Sequence, residues 1–194
     1  MPASQQNGIL IGIVESLEDP EQLGRVRVKY PTLGDQLSDW ARLVTLMAGP
    51  DRGARFVPEK NDEVLVAFEQ GDPRRPYILG ALWSKPDKPP PDDGKQKENN
   101  WRYIKSRSGH ILRFDDTDGK EKVEILDKDN KRKIILDVAG KMITILCEEG
   151  DISISAKKGK VSVEADTVNV ESQKDMSIKA GGTLTLKGQK ININ

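Results

Sequence analysis

The sequence predicts an all-β protein in two pieces: an N-terminal OB-fold barrel, then short strands wound into a C-terminal β-helix. Three observations predict it. Residues 9–83 hold five short apolar runs divided by turn signals, without a convincing helical period. From residue 142 onward, a pair of apolar residues recurs about every eight positions. Between the two regions the composition breaks. All 11 prolines lie between Pro2 and Pro91, and every aromatic residue lies at or before Phe114. The expected boundaries are a barrel over 1–84, a linker over 85–100 and a repeat region over 101–194.

In the barrel, Ile9, Ile11 and Ile13 alternate with small or apolar residues and Val14 leads to a charged turn at Glu18-Asp19-Pro20. Gly24 to Tyr30 alternates strictly, with Arg25, Arg27 and Lys29 on one face and Val26, Val28 and Tyr30 on the other. That is the pattern of a half-buried strand, and Pro31 stops it. Trp40–Leu46, Asp62–Glu69 and Pro76–Trp83 supply three more strands, and a short helix fits Asp35–Asp39. Five short strands suit a small partly open barrel. The junction Lys85-Pro86-Asp87-Lys88-Pro89-Pro90-Pro91, with the polar run to Asn100, reads as a semi-rigid extended linker.

The repeat consists of the pairs Ile143/Ile145, Ile152/Ile154, Val161/Val163, Val168/Val170, Met176/Ile178, Leu184/Leu186 and Ile191/Ile193. Ile125 and Ile134 extend the spacing upstream. Within a unit the period is two, so each unit is a short strand. Turn formers separate them, among them Lys158-Gly159-Lys160, Gly181-Gly182 and Lys187-Gly188-Gln189. An eight-residue unit supplies one side of a coil. Either one chain coils on itself with about three units per turn, or three chains each supply a side around a shared axis. The first gives only about three coils, with no visible capping segment after Asn194. The second gives a narrow prism with these paired Ile, Val, Leu and Met side chains inside and no room for aromatics. The absence of aromatics favours three chains.

Composition excludes several functions. Basic and acidic residues number 31 each, so the net charge is zero and a strongly basic nucleic-acid binder is not expected. One cysteine and one histidine exclude a disulfide framework and sites needing two such ligands. The apolar stretch Gly8–Val14 is too short to span a membrane, and no basic segment precedes it as in a secretory signal. The expectation is a protein made in the cytoplasm, with neither cofactor nor metal.

Residues 8–83 resemble the OB-fold domain of the phage baseplate assembly protein V and VgrG spike family. The resemblance is carried by Gly24-Arg25-Val26-Arg27-Val28, Tyr30-Pro31, Trp40-Ala41-Arg42, Ala48-Gly49, Arg52-Gly53, Phe56-Val57-Pro58-Glu59, Asp62–Phe68, Gly71-Asp72-Pro73 and Arg75–Gly80. Ser108 to Asp116 resembles the entry to that family's triple-stranded β-helix. The resemblance implies a homotrimeric spike at the centre of a contractile injection machine's baseplate, piercing the target envelope when the sheath contracts. The barrel starts near residue 8, which implies a separate trimeric hub protein. The last residues lack the His-x-His pair of iron-tipped members, which implies a blunt end completed by a PAAR-type tip protein.

Individual candidates for chemistry are weak. His110 has no second histidine beside it, and a structural role is expected. Cys147 shares parity with Ile143 and Ile145 and is expected inside as a small hydrophobe. Asp115-Asp116-Thr117-Asp118-Gly119 puts Phe114 where a calcium loop needs its first carboxylate, so a turn is expected. Arg25, Arg27 and Lys29 lack aromatic stacking partners on their own face, so no nucleic acid is expected. The reading is a non-enzymatic homotrimeric spike, assembled into a phage tail or injection particle with the inner tube and baseplate. The alternative is a monomeric OB-fold module for oligosaccharide or nucleic acid with a β-solenoid tail.

Overall fold

A computed structural model describes residues 8–192, and all secondary structure in it beyond two 3-10 turns is β. Strands β1 (Ile9–Ser16), β2 (Arg27–Tyr30), β3 (Gln36–Leu37), β4 (Arg42–Leu43), β7 (Glu63–Phe68) and β8 (Pro76–Leu82) form one sheet in the order β3-β2-β1-β7-β8-β4. Its pairs are antiparallel except β4–β8. A bridge between Val26 and Ala41 ties the approach to β2 to the residue before β4. The sheet thereby curls around one core, consistent with an OB-fold. Strands β5 (Ala48–Gly49) and β6 (Arg52–Gly53) form a separate small hairpin.

The core follows from the alternation in the sequence. Val26, Val28 and Tyr30 point inward with Val14, Ala41, Val64, Val66 and Ile78, all buried. Leu10, Leu43, Val57 and Phe68 close around them. In β1 the inward residues are Leu10, Gly12 and Val14, while Ile9 and Ile11 lie exposed on the outer face. Gly12 explains the choice. A Cβ there would stand 2.9 Å from Val28 Cγ2 and 3.1 Å from Val66 Cγ2, so only glycine lets β2 and β7 side chains meet across β1.

Two expected elements differ. Asp35–Asp39 is not helical. Pro31–Leu33 makes a 3-10 turn, Gly34 and Asp35 take left-handed conformations, and the chain reverses into β3 against β2. The strand expected over Trp40–Leu46 shrinks to β4. Val44 makes one more backbone bond, to Ile78 O at 2.9 Å, and the chain then leaves for the β5–β6 hairpin.

Residues 85–100 contain no strand. Tyr103 Oη donates to the carbonyls of Pro90 and Pro91 at 2.9 and 3.0 Å, tying this segment to the next sheet. That sheet is an antiparallel meander of β9 (Trp101–Lys105), β10 (Ile111–Asp115), β11 (Lys122–Leu126), β12 (Arg132–Asp137) and β13 (Met142–Cys147). Its turns use left-handed Gly109, Gly119, Asn130 and Lys141. Residues 151–192 form no strand ladder within the chain.

Candidate functional site

The meander has two unlike faces, and register sets both. Directly opposed residues in an antiparallel pair share a face. Ile104, Leu112, Ile125, Ile134 and Ile145 stand opposite one another in turn, one from each of the five strands. Beside that row run Phe114, Val123, Leu136 and Ile143. Two rows of aliphatic and aromatic side chains thus cross the sheet, and most of them are well exposed, Ile143 to 72%. The row from Ile104 to Ile145 borders a shallow apolar hollow of about 670 Å³ that also includes Cys147. Cys147 is half-buried on the side of Ile143 and Ile145, as its parity predicts.

The opposite face sets a buried ion pair among apolar neighbours such as Ile111, Leu126 and Ile135. Arg113 Nε donates to Glu124 Oε2 at 2.6 Å, and the guanidinium lies 4.1 Å from the centroid of the Trp101 ring. Glu124 is buried. A sheet that leaves one whole apolar face bare is half of a two-layer unit. An exposed patch of this kind marks an interaction surface.

The bare face runs on in sequence as the repeat. Ile152, Ile154, Val161, Val163, Val168, Val170, Met176, Ile178, Leu184, Leu186 and Ile191 are all between half and three quarters exposed in the single chain. Ile193 lies outside the described residues.

The chemistry available elsewhere is structural. The backbone of His110 closes the β9–β10 turn, its N–H donating to Ser106 Oγ at 3.0 Å. Asp115 Oδ1 accepts from Thr117 N and Thr117 Oγ1, so the Asp115–Gly119 segment is a turn organised by its own hydroxyl. Among the described residues no group of three or more His, Cys, Asp or Glu could hold a metal ion. No helix among them is long and apolar enough to cross a membrane.

The basic face of the Gly24–Tyr30 strand is answered by nearby groups. Arg25 pairs with Asp19 and Glu21, Lys29 pairs with Glu15, and Arg27 donates to Ser38 O and lies 5.8 Å from the Trp40 ring. A second cationic feature was missed by the sequence reading. Arginines from four separate segments converge on a cleft of about 1190 Å³ beside the β5–β6 hairpin. No local motif marks it, because its members are brought together only by the barrel's topology.

Comparison with known proteins gives the barrel its relations. Residues 10–83 match the family described as the type VI secretion system/phage-baseplate injector OB domain. The chain is 28% identical over 127 residues to the type VI secretion system spike protein VgrG5 of Pseudomonas aeruginosa, covering 61% of this chain and 16% of that protein. It is 29% identical over 134 residues to the actin cross-linking toxin VgrG1 of Vibrio cholerae, covering 63% and 12%. With VgrG3, a type VI secretion system spike protein of Vibrio cholerae, it shares 27% over 111 residues, covering 53% and 11%. The chain therefore spans less than a fifth of the length of these curated relatives. The barrel formed by β1 to β8 lies over the residues that match the type VI secretion system/phage-baseplate injector OB domain, and the chain is similar to VgrG spike proteins.

Proposed function

We propose that this protein is a structural, non-enzymatic spike of a contractile tail or injection system, and that three copies join along their bare apolar faces. The observation that carries this reading is the exposed ladder Ile104-Leu112-Ile125-Ile134-Ile145 and its continuation into the octad pairs. Each aliphatic side chain that becomes fully buried contributes about 1.5–3 kcal/mol. No element of the described chain covers this face, so further copies are the economical source of that burial. Three chains around one axis also give residues 151–192 the backbone partners that they lack in one chain.

In this arrangement residues 1–84 form the barrel that seats on a trimeric hub protein. Residues 85–100 feed the chains together, and 101–194 form the shaft, with Ile143 to Ile193 of the repeat facing the axis. A PAAR-type protein completes the far end. On sheath contraction the shaft is driven outward through the target envelope. Its strength comes from strands bonded between chains, which leaves no free sheet edge and makes unwinding slow.

Light scattering after size exclusion tests the reading. A trimer has three times the 21.6 kDa chain mass and should run as an elongated particle resistant to SDS without heating. A compact 21.6 kDa monomer would sink it and leave the single-chain solenoid with a ligand-binding barrel.

A further inference from the structure

The arginine cleft on the barrel has no role in a shaft. Its cations are Arg25 before β2, Arg42 in β4, Arg52 in β6, Arg55 just after it, and Arg74 and Arg75 in the turn before β8. Neighbouring carboxylates hold three of the six. Asp19 and Glu21 take Arg25, Asp72 takes Arg74, and Glu69 takes Arg75. Arg42 lies 5.6 Å from the Tyr77 ring, whose hydroxyl donates to Glu69 Oε2 at 2.6 Å. Arg52 and Arg55 are exposed, and neither side chain makes an ion pair or hydrogen bond among the described residues. The Arg52 guanidinium lies over Gly49, where an added Cβ would be only 2.8 Å from Nε, so the hairpin backbone orients it. Phe56, 69% exposed, stands beside Arg55, with Leu23 and Met47 also exposed at the cleft.

This pattern selects among anions. A nucleic-acid strand wants a run of uncompensated cations and free ring faces for its bases. Here half of the arginines are neutralised in place, and the Tyr77 and Trp40 rings at the cleft are already faced by Arg42 and by the neighbouring Arg27. What remains free is two guanidinium forks beside exposed apolar side chains. Such forks match carboxylates bidentately. At about 1190 Å³ the cleft is also larger than most single small-molecule pockets.

We infer that this cleft receives an acidic segment of a partner protein, whose carboxylates pair with Arg52 and Arg55 while an adjacent apolar side chain packs on Phe56. The inference rests on the reading that the barrel seats against another protein of the machine, and it specifies the chemistry of that contact.

The test selects a phage-displayed dodecapeptide library on the immobilised full chain, then measures the enriched peptides by fluorescence anisotropy. The expected winners carry at least two carboxylates beside an apolar residue. Their affinity falls about tenfold or more in the Arg52→Gln/Arg55→Gln variant and is partly kept in Arg52→Lys/Arg55→Lys, which retains charge without the fork. Winners without acidic bias, or equal binding by the Gln variant, would overturn it. So would tight binding of a labelled oligothymidylate that the Gln variant abolishes, which would make the cleft a nucleic-acid site. Light scattering on the same preparations separates the two readings. A trimer indifferent to acidic peptides overturns the cleft alone, and a monomer that binds them overturns the spike alone.

Discussion

Asp19 grips Arg25 with both carboxylate oxygens, Arg25 Nε donating to Oδ2 at 3.1 Å and Arg25 Nη2 to Oδ1 at 2.6 Å. The same carboxylate accepts the backbone N–H groups of Glu21, Leu23 and Arg25. One buried side chain thus shapes the whole turn between β1 and β2 and aims Arg25 at the cleft.

The Arg25 guanidinium, with the three backbone donors, holds the Asp19 carboxyl well below the usual carboxylate range. A depressed folded pKa gives stability that is present above the unfolded value of about 3.9 and is lost as pH falls toward the folded one. Asp19→Asn keeps one acceptor and turns an NH2 toward the donors. It should lower the urea midpoint at pH 7, and the gap to wild type should shrink progressively below about pH 4. A gap that stays constant down to pH 2 would show that the charge does not organise the turn.

Gly12 is the tightest point of the barrel. Gly12→Ala should overpack Val28 and Val66 and cost about 1–3 kcal/mol in urea unfolding. Gly80 in β8 has no atom within 4 Å of an added Cβ, so Gly80→Ala serves as the control and should be near neutral. Equal effects at both sites would contradict the close approach of β2 and β7 over β1.

The Arg113–Glu124 pair lies under the Trp101 ring on the face opposite the two bare rows. Removing one partner leaves a largely buried charge alone, which costs about 3 kcal/mol or more. Glu124→Leu should therefore destabilise the sheet and change the near-ultraviolet signal of Trp101. Arg113→Leu/Glu124→Leu should recover much of the loss. A double variant no better than the single would mean that the pair contributes net attraction.

Val163 is 75% exposed in one chain, so Val163→Asp carries little penalty in a monomer. Around a shared axis it would bring three carboxylates together without counter-charge, at several kcal/mol per ion. The variant should fail to form trimers by light scattering, while Ser162→Asp, one position away on the other parity, should assemble normally. Normal trimers from Val163→Asp would refute the inward placement of the repeat.

Much of this was legible in the sequence where alternation is strict. Val26, Val28 and Tyr30 are buried as their period of two demands, and Asp62–Glu69 and Pro76–Trp83 become β7 and β8 with ends trimmed by one or two residues. Alternation was ambiguous in β1, where both faces are apolar, and only the Gly12 contact decides which faces in. Asp35–Asp39 looked helical because its polar, turn-forming residues also suit a hairpin reversal. The apolar pairs were visible as a period, but the two rows that cross the meander depend on register, which no single strand encodes. The arginine cleft was invisible for the same reason, since Arg25, Arg52 and Arg75 lie far apart along the chain.

Residues 151–192 find no strand partner in their own chain, and this has a consequence for biosynthesis. The barrel can close as soon as β8 leaves the ribosome, in a first-order step indifferent to how many chains are present. If three copies join as proposed, the last quarter of the chain waits for an encounter between molecules, and its ordering accelerates with concentration. While it waits, it is an apolar, proline-free stretch of strand-forming sequence, the kind prone to stray pairing. Lys157, Lys158, Lys160, Lys174, Lys179 and Lys187, spaced between the apolar pairs, act as gatekeepers during that interval. On that reading the lysines guard the chain before assembly and not only after it.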